Sequence, residues 1–440
     1  MKRIKFTTWI LIAMVLGVLV GYLCHAQAPS PEAAKEIAGY FSIVTDIFLR
    51  LIKMIIAPLV FATIVGGIAG MGNAKEVGRI GLKALAWFLS ASFVSLLLGL
   101  ILADLFQPGV GLNLPLPDAG AATHLKTGAL NLKDFVAQIF PKSFFEAMAQ
   151  NAILQILVFA IFFGFALASI RDETANTMVR MIDDLTKAML RVTDYVMRFA
   201  PFAIFAAIAA AITVQGLGVL VTYGRFMGSF YAALLVLWGV LILGGFLFLG
   251  KSTFRLLRLI REPMVLAFST ASSESAYPRT MAQLEKFGVR DKVTGLVLPL
   301  GYSFNLDGSM IYMTFAALFI AQVYGVELSL SQQITMLLVL MVSSKGIAGV
   351  PRASLVVIAA VLPMYGLPEA GLLLIMGVDH FLDMGRSATN VLGNSLATAV
   401  VARLEGELTP QAEEDTAPDA AADSALPDLA APALAAKQAA

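Results

Sequence analysis

Four residues near the end of the apolar part of the chain, Asp379, Asp383, Arg386 and Asn390, follow one another at spacings of four, three and four. On a helix such spacing places them on one face, and Asn394 extends the stripe by another turn. They interrupt an otherwise apolar stretch at about 368–401. A charged side chain facing lipid at mid-span costs about 3 kcal/mol or more. The stripe must therefore face protein, water or a ligand. A guanidinium offers a carboxylate a two-pronged fork of donors. Arg386 is suited to hold an acidic substrate, and Asp383 to hold an ammonium group on it. A purely structural Asp383–Arg386 pair would leave Asp379 and Asp307 without a purpose.

Asp307 belongs to a second group, in the stretch NLDG with Asn305 and Gly308. Asp307, Asp379 and Asp383 sum to −3, and Arg386 returns +1, which leaves −2. Withdrawn from water, such charge needs cations or protons beside it. Amide, carboxylate and exposed carbonyl oxygens suit hard monovalent ions or protons. The pattern thus implies a cation site before it implies any substrate.

The elements that position these groups are read from hydropathy. Of 440 residues, 58% are hydrophobic and only 14% charged, with a mean hydropathy of +0.81. That composition describes a polytopic, all-α membrane protein. Candidate spans lie at about 8–24, 40–70, 82–106, 144–170, 185–213 and 222–249. The first follows MKRIK without a small-residue cleavage site, and it reads as a retained span. From about 251 to 405 the apolar pattern is interrupted by FSTASSESAYPRT, PLGYSFNLDG and SSKGIAGVPRAS. Lys and Arg at 2, 3 and 5, at 75, 79 and 83, at 251–261 and at 286–292 mark loops on the inner side. For those loops to share a side, about 251–287 and about 329–363 must be re-entrant hairpins. The expectation is eight spans and two hairpins, with both termini cytoplasmic.

The hairpin tips resemble each other. SSESAYPRT and SSKGIAGVPRA each place two serines before a Pro-Arg, and each is followed by a span carrying acidic residues. One hairpin enters from inside and the other from outside, so the repeat is inverted. Non-helical backbone cannot face lipid, so the tips line a cavity or touch each other.

Other classes fit less well. The net charge of +1 gives no case for nucleic acid. A single cysteine, Cys24, and scattered His25, His124 and His380 argue against a cysteine- or histidine-based metal site. An intramembrane hydrolase would need a base beside a serine, and the first tip holds only Glu274 and Arg279. A channel would lack saturable uptake, and no soluble domain suits a receptor. No enzyme activity and no cofactor beyond coupling ions is expected. The Ala-, Pro- and Asp-rich tail, 409–440, reads as disordered.

STASSESAYPR, GYSFNLDGS, SSKGIAGVP and DHFLDMGRSATNVLGN together resemble the dicarboxylate/amino acid:cation symporter family, which includes glutamate transporters; the similarity runs over about 5–407. The resemblance implies a glutamate-transporter-like elevator fold and a homotrimer in the inner membrane. Scaffold segments would be 1–74 and 111–220, and a sliding transport domain would comprise 75–110 and 221–408. It implies that Arg386 binds the substrate's side-chain carboxylate and Asp383 its amino group. Asn390, with Ser272 and Ser273, would bind the main carboxylate. Thr314, Ser387 and the outer gate residues Gly349, Val350 and Pro351 would complete the substrate site. Gly301, Asn305, Asp307, Asp379, Asn390 and Asn394 would hold sodium ions or protons. The expected substrate is glutamate or aspartate, with a C4-dicarboxylate second, because Asp383 would repel a substrate lacking an ammonium group. Asn394 and Met313 stand where sodium-coupled and animal relatives, respectively, have acids, and Arg352 where many have a small residue.

Overall fold

The computed structural model describes residues 6–71, 74–111, 116, 139–170, 173–218, 223–344 and 353–409. The second hairpin tip, residues 345–352, the tail beyond 409 and most of the loop expected at 106–142 lie outside them. Every regular element among the described residues is helical, apart from one isolated bridge between Val289 and Leu408.

The chain begins with α1 (Phe6–Gln27), α2 (Pro31–Met71) and α3 (Ala74–Phe106). Next come α4 (Phe144–Ala149), α5 (Ile153–Ser169), α6 (Glu173–Met197), α7 (Ala200–Gln215) and α8 (Gly224–Leu249). The C-terminal part holds α9 (Ser252–Thr270), α10 (Tyr277–Phe287), α11 (Asp291–Phe304) and α12 (Asp307–Val323). It ends with α13 (Leu330–Ser343), α14 (Ala353–Val361), α15 (Leu373–Met376) and α16 (Asp379–Glu405).

Among the described residues, α1, α2, α3, α8 and the joined pair α11–α12 are long and apolar enough to cross a membrane. A sixth span is α6 with α7, bent by 52°. The sequence reads 185–213 as one straight segment; the bend falls before Pro201, which lacks an amide donor and sits in the first turn of α7. Likewise 144–170 is two helices, broken at Asn151, whose φ is 52°. The final helix fails a test of hydropathy because of its polar stripe, yet residues 384–402 are all buried. It is sheathed by protein, which removes the need for an apolar surface.

Packing sorts the helices into two groups. In one, α1 lies on α7, and α2 runs along α5, α6 and α7. A Cβ on Gly17 or Gly21 would stand 2.7 Å from a carbonyl of α7, so glycine permits this close approach. In the other group, α3 lies along α12, while α8, α9, α11 and α12 surround α16. The groups meet where α2 crosses α11, at Thr63 and Gly295.

Helices α9 and α10 fold back on each other. Arg255 at the start of the first arm donates to the carbonyl of Lys286 at the end of the second, at 3.3 Å. Ala271 ends α9 with φ 48°, a left-handed conformation that costs an L-residue about 1 kcal/mol. Pro278 opens the returning arm, where a missing donor does no harm.

One end of the second group is held by ions. Glu405, with a side chain only 1% exposed, lies 2.6 Å from Arg79 and 2.7 Å from Lys83. Lys292 bridges Glu76 and Glu407, at 2.7 Å each, and Arg290 pairs with Glu407 at 2.9 Å. The starts of α3 and α11 therefore meet the end of α16. At the opposite end Gln322 of α12 accepts from Gly109 and donates to Ala103, both at 3.0 Å. The chain enters α13 from that opposite end, through a capping box of Ser329 and Gln332. The α9–α10 fold-back and α13 thus start from opposite ends of the bundle.

Burial pushes the Glu405 carboxyl up, but hydrogen bonds from Arg79 and Lys83 more than offset it and hold it below the usual carboxylate range. Its contribution is present above that range and is lost as pH falls through the depressed value. Glu405→Ala should lower stability by about 1–2 kcal/mol at neutral pH. Thermal unfolding in detergent should show this penalty shrinking in strong acid.

Candidate functional site

The site is built where α12 begins against the middle of α16. α11 stops at Phe304 and α12 restarts at Asp307, with Asn305 and Leu306 in non-helical conformations. A Cβ on Gly308 would collide with the backbone of Arg386, and one on Gly393 with the Asp307 carboxylate. These glycines let a broken helix lie directly on the polar stripe. The amide of Gly308 donates to Asn390 Oδ1 at 2.9 Å. The amide nitrogen of Asn390 still offers donor chemistry suited to a carboxylate.

On one side of that junction stands the arginine cluster. Arg386 has a side chain 2% exposed, and its Nη2 lies 2.9 Å from Asp379 and 3.1 Å from Asp383. Its guanidinium sits 4.1 Å from the centroid of the Tyr312 ring, whose hydroxyl donates to Asp379 Oδ1 at 3.1 Å. Asp379 is 4% exposed, whereas Asp383 is 37% exposed. The two carboxylates therefore differ. Asp379 is sealed in with the arginine and the tyrosine, while Asp383 pairs from an accessible position. Ser387 is buried beside them.

On the other side lies an oxygen-rich cluster. Asn305 Nδ2 donates to Asp307 Oδ2 at 3.0 Å and to Asn394 Oδ1 at 3.2 Å. Ser95 of α3 donates to Asp307 Oδ1 at 3.3 Å, and Ser92 to the Phe304 carbonyl at 3.4 Å. Gly301 leaves room for the Asn394 amide, against which a Cβ would collide. Asn305 Oδ1 is buried without a hydrogen-bond partner. An unpaired acceptor beside a buried carboxylate fits a small cation. Asp379 and Asn394 are fifteen residues apart on one helix, about 22 Å. They cannot ligate the same ion, so the expected cation residues fall into at least two places.

The first hairpin tip reaches the same region. Phe268 and Ala271 share an apolar cluster with Phe381 and Met384 of α16. Directly after them, Ser272 Oγ accepts from the Ser275 amide at 3.3 Å, and the Ser273 carbonyl accepts from Tyr302 at 3.0 Å. Thr314, expected at the substrate, donates to the Leu96 carbonyl of α3 at 2.9 Å. It stands seven residues after Asp307 and shares that residue's α3-facing side. Gly349, Val350 and Pro351 lie outside the described residues.

Sequence reasoning missed Tyr312, Ser95 and Tyr302, and also two anchors from α8. Trp238 donates to Thr389 Oγ1 at 2.8 Å, and Tyr231 to the Phe381 carbonyl at 2.6 Å. Tyr312 had a signal: it stands four residues after Gly308, on the side of α12 that meets Arg386. Tyr302 stands in the GYSFNLDGS stretch itself, beside Gly301, while Ser95, Trp238 and Tyr231 lie in distant apolar helices with no local sign of their partners.

Comparison with known proteins agrees with this geometry. The model of the sodium:dicarboxylate symporter family matches residues 6–404. The chain is 38% identical to the proton/sodium-glutamate symport protein of Bacillus caldotenax, over 92% of this chain and 96% of that one. It is 40% identical to the proton/glutamate-aspartate symporter of Escherichia coli, over 92% and 94%. It is 44% identical to the C4-dicarboxylate transport protein of Citrifermentans bemidjiense, over 91% and 90%. With a polar site buried among apolar helices and a family match spanning nearly all of those helices, the chain belongs to the sodium:dicarboxylate symporter family.

Proposed function

We propose that the protein imports an acidic amino acid, glutamate or aspartate, in symport with sodium ions and/or protons. The observation that carries this reading is the pairing of Arg386 with two unlike carboxylates. Asp379 and Tyr312 keep the buried guanidinium neutralised and oriented. Asp383, accessible and 3.1 Å away, occupies a place that a substrate carboxylate would take. On substrate arrival Asp383 exchanges the guanidinium for the substrate's ammonium group. Both charges stay paired throughout, which avoids the penalty of about 3–5 kcal/mol for stranding one.

The coupling cations bind among Asn305, Asp307, Asn394 and Ser95, where an unpaired amide oxygen meets a buried carboxylate. Asn390 connects the two clusters through Gly308, so filling one biases the other. We further propose eight spans and two re-entrant hairpins. α5 and α16 complete the spans that hydropathy alone does not identify. The ionic end faces the cytoplasm of a cell whose inner membrane holds a homotrimer. The α3 and α8–α16 group slides as an elevator past α1, α2 and α4–α7. A C4-dicarboxylate is the second reading, supported by the relatives that carry that name.

Uptake into proteoliposomes, with sodium and pH gradients imposed separately, tests the reading. Glutamate, aspartate, succinate and neutral amino acids should be compared. Succinate preferred over both amino acids would favour the second reading. Arg386→Cys should abolish uptake of acidic substrates; unchanged glutamate affinity would remove Arg386 from the site. Asp383→Ser should weaken glutamate about 10- to 100-fold, the loss of one charge-assisted contact, with far less effect on succinate. Equal losses would make Asp383 structural. Asp307→Asn should raise the cation concentration needed for half-maximal uptake, read from cation titrations at fixed substrate.

A further inference from the structure

Where the two helix groups meet near the ionic end there is a cavity of about 490 Å³. α2 and α6 wall it on one side, α10 and α11 on the other. Its floor is glycine: a Cβ on Gly67 would stand 3.1 Å from Lys292 Cα, and one on Gly295 2.6 Å from the Thr63 carbonyl. Three carboxylates line it, Asp183 from α6, Glu285 from the last turn of α10 and Asp291 from the start of α11. None of them makes a hydrogen bond or ion pair with a described residue. Two cations share the lining, Lys187 and Lys292, and both also make ion pairs outside it. Lys292 holds Glu76 and Glu407, and Lys187 holds Asp184 at 2.9 Å in an exposed pair. Arg255 of α9 donates to the Lys286 carbonyl and lies over the Phe287 ring, and Lys286 itself is exposed. α2 contributes no charge to the lining. Among the described residues one ion pair crosses the seam, Arg279 to Asp194 at 3.3 Å.

We infer that Glu285 is a proton-sensitive brake on movement between the two groups: protonated, it leaves the seam closed, and ionised, its half-buried charge at the cavity wall favours the wetter, loosened seam. The inference rests on the sliding motion proposed above. Burial pushes the Glu285 carboxyl up to about 7, and Asp291 adds to the effect. A closed seam thus binds the proton more tightly than a solvated carboxylate does. Acid favours closure. The closed-to-open ratio falls as pH rises from the usual carboxylate range to about 7, by at most about tenfold per unit, and is flat above. For a protein that admits protons with its cargo, acid on the ionic side would slow further turnover.

The test uses the full chain in nanodiscs, with Cys24 replaced and spin labels at Met181→Cys on α6 and Arg258→Cys on α9. Distance distributions are recorded between pH 5.5 and 8.5. The short-distance population should fall several-fold through neutral pH in the parent protein. It should stay high and pH-independent in Glu285→Gln, and its midpoint should drop in Asp291→Asn. A pH response unchanged in Glu285→Gln overturns the brake while leaving the sliding motion intact. A single distance under all conditions, including added substrate and sodium, overturns the sliding motion itself and the brake with it.

Discussion

The structure depends on keeping one guanidinium out of water. Arg386 sits in the middle of a helix buried on every side, where an unpaired charge would cost several kcal/mol. Asp379 and Asp383 neutralise it from the same helix, and Tyr312 covers it from α12. Much of the surrounding architecture follows from that need. Gly308 and Gly393 let α12 come close enough to supply the tyrosine. Tyr231 and Trp238 hold the stripe in place from α8. A helix carrying such a stripe could not face lipid, and the structure wraps it in four others.

Neutralising the arginine twice leaves an excess of negative charge, and Asp307 adds to it. That excess is what makes the site responsive. A rigid pair of opposite charges would have no reason to admit an anion. Here an accessible carboxylate pairs with the guanidinium, and in the function proposed above a substrate carrying both charges satisfies both partners at once. The oxygen cluster on the far side of Asn390 has the opposite need, since it lacks positive charge. In that proposal substrate and cation solve complementary electrostatic problems, two turns apart on one helix.

The sliding proposed above requires that the groups be firmly built within themselves and loosely joined to each other. The ion layer of Glu405, Glu407, Lys292, Arg79 and Lys83 lies wholly within the second group, tying α3, α11 and α16. The seam against α2 is different in kind. It is glycine against backbone, with a polar cavity beside it and, among the described residues, one ion pair crossing to the neighbouring α6. Backbone contacts of that sort have little side-chain interdigitation to undo, which suits the proposed sliding.

Much of this was legible from residue types. The polar stripe at 379–394, the NLDG break and the fold-back at SSESAYPRT follow from local rules: helical periodicity, and the inability of Gly, Pro and exposed backbone to face lipid. Those rules act within a few residues, so one sequence suffices to apply them. They did not show that Asp379 shares Arg386 with Asp383, that Thr314 faces α3, or that Ser95 reaches Asp307. Nor did they show the bend before Pro201, or that Glu285 and Asp183 line one cavity from either side of a seam. Each of these depends on where two distant helices cross and how they are rotated, a property of the packed bundle that no short stretch of chain carries.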